Sequence, residues 1–230
     1  MNDTWTHKLA RGAVRPLIGS GVTPNHLTTL RLLTGVGACA ALAMGPQALG
    51  GHAFLWGGVL WVLSAFLDRA DGELARIGNM MSPGGHRYDY LVDNGVNCLF
   101  FLAIGVGLRD ATLHGFRLGG WAVALGVIAS AAMFACNWMS ERYEARVPGE
   151  RTWNGAWGFH ADDALYLLGP AAWFGLLMPI LFGAAVGTSA MALVILVRLL
   201  RLPPDGAAAA ASRHASTHAS SPASSHASGA

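Results

Sequence analysis

The sequence predicts an all-α integral membrane protein, with six transmembrane helices preceded by an amphipathic helix lying on the membrane surface. Three observations carry this expectation. Hydrophobic residues make up 53% of the 230 and charged residues only 12%, where ordinary soluble domains have about a quarter charged. Long apolar runs recur, each near the ~20 residues a helix needs to cross the hydrocarbon core. Basic residues gather on alternate connections between those runs. The net charge is +2, with no basic stripe interleaved with aromatics, so nucleic acid is excluded as a partner.

Residues 1–20 form the first element. Trp5, Leu9, Val14, Leu17 and Ile18 alternate with Lys8, Arg11 and Arg15, which is the pattern of an interfacial helix. The basic residues are spread through it, and no short apolar core with a small-residue cleavage site follows, so a cleavable signal peptide is not expected. Residues 21–202 form the transmembrane domain, with apolar runs at about 28–44, 53–70, 90–108, 119–139, 164–182 and 187–201. The last two are divided at Gly183 and Gly187, because the stretch from Ala164 to Leu200 is too long for one ordinary crossing and carries no charge but Arg198. Residues 203–230 turn abruptly to Ala, Ser and His after Pro203 and Pro204, which reads as a disordered tail. Its His214, His218 and His226 are read as part of that low-complexity segment.

Counting Lys and Arg near span ends sets the orientation. Lys8, Arg11, Arg15, Arg76, Arg87, Arg142, Arg146, Arg151 and Arg201 fall on one side, and only Arg109 and Arg117 on the other. Both termini are therefore expected in the cytoplasm, with the protein in the cell (inner) membrane. Cys39, Cys98 and Cys136 lie inside spans at no metal-binding spacing and read as small packing residues. Asp162 and Asp163 before the fifth run read as helix-start residues, and His86 and His160 have no partner assignable from sequence.

Four aspartates interrupt this apolar chain in two pairs, Asp68 with Asp71 and Asp89 with Asp93. An ionised carboxylate at membrane level is costly unless something compensates it, and a divalent cation is the simplest candidate. On a helix continuing out of the second span, Asp68, Asp71, Gly72 and Ala75 share one face. Two carboxylates thus stand beside two nearly absent side chains, so a bulky polar ligand can approach the backbone there. Arg76 adds a fixed positive charge toward the same ligand. Asp89 and Asp93, spaced i, i+4, enter the third span and face the first pair across a helical hairpin. The intervening S-P-G-G supplies the turn and sets Ser82 and Gly85 near the mouth of the site. Carboxylates without thiol or imidazole favour Mg²⁺ or Mn²⁺ over zinc. The spacing rules out an EF-hand. A purely structural reading would instead pair these aspartates with Arg69, Arg76 and Arg87.

The segment resembles the CDP-alcohol phosphotransferase family (CDP-alcohol phosphatidyltransferases). Its signature D-x-x-D-G-x-x-A-R-x8-G-x3-D-x3-D is met at every fixed position by Asp68, Asp71, Gly72, Ala75, Arg76, Gly85, Asp89 and Asp93. T-P-N-H-L-T-T-L-R, from Thr23 to Arg31, looks like the start of that family's first span. The resemblance implies transfer of a substituted phosphate from a CDP-linked donor, often CDP-diacylglycerol, to an acceptor alcohol with release of CMP, as in phospholipid biosynthesis. It implies Asp68, Asp71 and Asp89 as metal ligands and Asp93 as both ligand to a second ion and general base. It implies Gly72, Ala75, Arg76, Ser82 and Gly85 at the donor site, with Asn25 and Thr28 further donor-side candidates, and a homodimer.

The end of the motif, R-Y-D-Y-L-V-D-N, matches none of the continuations common in phosphatidylglycerophosphate, phosphatidylserine or phosphatidylinositol-type synthases. Asn97, one turn beyond Asp93, and Asn137, Ser140 and Glu141 at the end of the fourth span are candidates to line an acceptor pocket. Arg142, Arg146 and Arg151 are candidates to attract a phosphorylated acceptor, or are simple orientation charges. The same chemistry with a CDP-linked small alcohol as donor stays open. From another class, a small ion or solute transporter would also use intramembrane carboxylates, but it predicts acids near the midplane and an internal repeat that the sequence lacks. A binding scaffold without turnover is a third alternative.

Overall fold

The computed structural model describes residues 5–113, 115–147 and 165–202. The predicted tail at 203–230, with its three histidines, lies outside the described residues, as do Arg151, His160, Asp162 and Asp163. The elements in chain order are α1 (Trp5–Val14), a 3-10 turn at Arg15–Leu17, α2 (Pro24–Ala43), a kinked turn α3 (Ala48–Gly51), α4 (Ala53–Ile77), α5 (Pro83–Gly107), strands β1 (Thr112–Leu113) and β2 (Phe116–Arg117), α6 (Gly120–Arg146), α7 (Leu168–Trp173) and α8 (Leu177–Arg201). Among the described residues five helices, α2, α4, α5, α6 and α8, are long and apolar enough to cross a membrane. The all-helical membrane class therefore holds, interrupted among the described residues only by the small antiparallel β1–β2 hairpin.

The predicted division of the last apolar stretch is overturned. Gly183 and Gly187 sit inside α8, which runs unbroken from Leu177 to Arg201. The chain bends earlier, where α7 ends and Gly175 takes φ 70°. Little of α8 is buried within the protein, so its glycines meet no demand for a turn, and a helix in lipid must keep every backbone group bonded internally. Ahead of that bend, residues 165–173 lie along α4. Tyr166 Oη donates to Ala65 O at 2.9 Å, Trp61 Nε1 to Leu165 O at 2.9 Å, and Trp173 Nε1 to Leu55 O at 3.1 Å. The segment follows about ten residues of α4, roughly 15 Å and half the hydrocarbon thickness.

The two aspartate-bearing helices follow one another across a short turn, and Asp89 of the second comes to Asp68 and Asp71 of the first. α4 and α5 each pack along α2 rather than along each other, and the tilted Trp61 and Phe100 rings, with centroids 3.9 Å apart, join them. Small residues let α2 occupy that central position. A Cβ on Gly35 would stand 2.6 Å from Val96 Cγ1 and 2.9 Å from Ser64 Oγ, so side chains of both neighbours fill the place a side chain would take. The main core gathers Leu42, Trp61, Val96, Phe100 and Ile104 around this three-helix contact. α6 joins through α5, where Ser130 Oγ donates to Cys98 O at 2.6 Å, and α8 packs on α6, where Cys136 Sγ donates to Thr188 O at 3.3 Å. The cysteines are free.

The turn between α4 and α5 lies at Gly78 to Met81, with Asn79 at φ 52°. S-P-G-G is instead the start of α5. Ser82 is its N-cap and accepts from Gly85 N at 3.0 Å, and Pro83 takes the first helical position, where its missing N–H costs nothing. Asp89 and Asp93 consequently lie on successive turns within α5.

The amino-terminal helix differs from a simple interfacial helix. Val14 is buried against Ala70 and Leu74 of α4 and Ala10 is buried too, while Leu9 and Ile18 of the expected apolar face are exposed. Polar residues make the main attachment. Glu73, its side chain 1% exposed, is met by His7 Nδ1 at 2.8 Å, Arg11 Nε at 2.9 Å and Arg76 Nη2 at 2.8 Å. A buried carboxylate without these partners would carry a large desolvation penalty. Glu73→Gln should cost roughly 2–3 kcal/mol, less than a fully buried pair because the partners reach solvent. Trypsin should then cut at Lys8 and Arg11 well before the spans, while Pro16 protects Arg15, which limited proteolysis in detergent will show. Gly35→Val should separate α2 from α5 at a cost of about 1–3 kcal/mol, read as a lowered thermal midpoint.

Candidate active site

Three helices meet at the aspartates. α4 contributes Asp68 and Asp71, α5 contributes Asp89 and Asp93, and α2 contributes Thr28 and Arg31, placed on one face by their i, i+3 spacing. One carboxylate oxygen from each of Asp68, Asp71 and Asp89 lies within 4.8 Å of the others. Asp93 stands outside this group of three. Asp71 is the most enclosed, and Thr28 Oγ1 donates to its Oδ2 at 2.7 Å. Asp89 Oδ1 is buried and has no hydrogen-bond partner. An all-carboxylate triad holding an oxygen with that bond unspent fits a hard divalent cation of the Mg²⁺ or Mn²⁺ kind.

The cation that the structure does supply is Arg31. Only 3% of its side chain is exposed, and its Nη1 is 3.1 Å from Asp68 Oδ1 and 3.8 Å from Asp89 Oδ1. The same nitrogen is ion-paired with Asp93. Sequence reasoning quoted this arginine within T-P-N-H-L-T-T-L-R but assigned it no role. A lone guanidinium inside an otherwise apolar run, one turn after a threonine, was the available signal. The partners expected from proximity in sequence are engaged elsewhere: Arg69 Nη1 is 3.1 Å from His7 Nε2, and Arg76 pairs with Glu73. Glu73 and His86 were also not foreseen.

A cavity of about 180 Å³ opens beside the triad. Asn25, Thr28, Gly72, Ala75, Arg76, Ser82 and Gly85, every candidate for the donor side, line it together with Asp71 and Asp89. A Cβ at position 85 would stand 3.0 Å from Ser82 Oγ and 3.2 Å from Asn25 Oδ1, so glycine there relieves a tight contact. At Gly72 a Cβ would face the Arg76 guanidinium at 3.4 Å. Arg76 thus borders the cavity while its Nη2 is held by Glu73, which fixes the charge in place.

A second cavity, about 470 Å³, lies between α5 and α6. Asp93, Asn97, Asn137, Ser140 and Glu141 line it, and His86 borders both cavities. Of the acceptor-side candidates, Asn97, Asn137, Ser140 and Glu141 are therefore brought together, and Arg142 is not. Its guanidinium lies 3.7 Å from the centroid of the Trp138 ring, a cation–π contact that turns the charge away from the cavity.

Residues 21–202 match the CDP-alcohol phosphatidyltransferase family. No curated protein matches the chain.

Arg31 offsets four carboxylates at once, so Arg31→Gln should lower the stability of the metal-free protein by about 3–5 kcal/mol. Mn²⁺ should recover more of the thermal midpoint in this variant than in the wild type, because a bound cation replaces the lost charge. Melting curves with and without Mn²⁺ will check both effects.

Proposed function

The chain belongs to the CDP-alcohol phosphatidyltransferase family, and on that premise we propose that it transfers a phosphatidyl group from CDP-diacylglycerol to the hydroxyl of an acceptor alcohol, releasing CMP, in phospholipid synthesis. Transfer of a substituted phosphate from a CDP-alcohol to an acceptor alcohol is the activity the family implies. One observation carries the assignment to these residues: two separate cavities flank the carboxylate cluster, one bordered by Asp71 and Asp89 and the other by Asp93. A displacement needs that arrangement, with donor and acceptor approaching from different sides.

In this reading Asp68, Asp71 and Asp89 hold Mg²⁺ or Mn²⁺, with Asp93 contributing to a second ion. When bound, the ions neutralise the donor pyrophosphate and the charge on departing CMP. Thr28 orients Asp71 through its 2.7 Å hydrogen bond. Gly72 and Ala75 leave room for the nucleotide to approach the α4 backbone, with Arg76, Ser82, Gly85 and Asn25 around it. Asp93 accepts the proton of the acceptor hydroxyl as its oxygen bonds to phosphorus and the pyrophosphate P–O bond breaks, so no covalent enzyme intermediate is needed. Arg31 holds the Asp93 carboxylate in position.

The donor's acyl chains require a site reached from lipid, and the cluster lies on helices that are long and apolar enough to span. Basic residues near the ends of α4, α6 and α8 support placing the termini and the active site on the cytoplasmic side. On the other side, Arg109 and Arg117 are drawn to Asp110, at 3.5 and 2.7 Å, which leaves little unpaired positive charge there. The same reading carries the homodimer that the family resemblance implies.

CMP release by purified protein in lipid–detergent micelles, with CDP-diacylglycerol, Mg²⁺ or Mn²⁺ and a panel of alcohols, tests the proposal. Asp93→Asn should reduce release by about 10²–10⁴-fold while Mn²⁺ binding persists at the other three aspartates. Asp71→Asn should weaken Mn²⁺ binding itself. Undiminished release in Asp93→Asn, or a protein that binds neither Mn²⁺ nor CDP-diacylglycerol, would overturn it.

A further inference from the structure

We infer that the acceptor is a small alcohol bearing no phosphate or other negative charge, and that Glu141 enforces this choice. The inference rests on the proposed transfer reaction and concerns the cavity between α5 and α6. That cavity, about 470 Å³, begins at Asp93 and extends along Asn97, Asn137, Ser140, Glu141 and Glu144. Among its described lining residues there is no lysine or arginine. The nearest candidate on α6, Arg142, is stacked over Trp138, and Arg31 is committed to the aspartates.

The hydrogen-bonding character of the wall points the same way. Asn94 spends its amide nitrogen on Tyr90 O at 3.0 Å and its side-chain oxygen on Asn137 Nδ2 at 2.6 Å. Asn137 therefore has its carbonyl oxygen left for a ligand. The Glu141 carboxylate, which the Tyr90 hydroxyl also reaches, adds a negative charge to the same wall, so the wall offers mainly acceptors. Hydroxyl or ammonium groups are donors and complement it. A phosphate ester brings acceptor oxygens and negative charge, and one unit of like charge about 6 Å from a carboxylate is worth on the order of a hundredfold in affinity at a partly buried site.

The test compares kcat/KM for CMP release with glycerol, myo-inositol and ethanolamine against the phosphate esters of the same alcohols, with CDP-diacylglycerol binding measured in parallel. Wild-type protein should favour an unphosphorylated alcohol over its own ester by at least roughly tenfold. Glu141→Lys should narrow or reverse that ratio, mainly through KM for the ester, with donor binding unchanged. Glu141→Gln, which keeps the shape, should narrow it less and covers the case where the lysine variant fails to fold. Turnover confined to phosphate esters, or a ratio indifferent to both substitutions, overturns the inference alone. Absence of both donor binding and CMP release with every alcohol overturns the transfer reaction, and this inference with it.

Discussion

One guanidinium, that of Arg31, sits where two pairs of like charges would otherwise repel. Four carboxylates drawn from two helices cannot share so small a region of a membrane protein without a counter-charge. Arg31 supplies it from a third helix, at 3.1 Å from Asp68 and 3.8 Å from Asp89 and paired with Asp93. Buried charge of this kind contributes little to stability on balance, but it makes one arrangement of the helices far better than its alternatives. The placement of α2 between α4 and α5 is therefore an electrostatic requirement as much as a matter of packing.

Packing makes that placement possible. Gly35 removes the side chain that would strike Val96 and Ser64, and Ser64 Oγ in turn donates to Arg31 O at 3.1 Å. The backbone carrying the arginine is thus tied to α4 at the level of the site. Thr28, one turn earlier, ties the same helix to Asp71. The central helix meets both halves of the aspartate motif at once; the smaller cavity opens among α2, α4 and α5, and the larger between α5 and α6.

A second charged node, Glu73, repeats the principle at the edge of the site. It draws His7 and Arg11 of α1 and Arg76 of α4 to one buried carboxylate. Arg76 also borders the smaller cavity, so the attachment of the amino-terminal helix and the charge presented to a ligand share one network. The acid at position 73 lies between Gly72 and Leu74, at a position the motif leaves open. Its role depends on α1 folding back across α4, which no spacing within 68–93 reveals.

Local chemistry determined much of this protein. Hydropathy and length set five of the membrane helices, because a chain in lipid has few ways to satisfy its backbone. Helical periodicity set Asp68, Asp71, Gly72 and Ala75 on one face, and Ser82 and Pro83 carried a helix start even though they were read as a turn. Tertiary structure alone decided what meets across helices. Arg31 finds Asp93, and Asn137 finds Asn94, over sequence separations at which periodicity has no hold. It also kept α8 continuous through Gly183 and Gly187, since a glycine marks a turn only where packing asks for one. It turned Arg142 onto Trp138, because a cation goes to the nearest geometry that satisfies it, and a sequence lists charges without their directions.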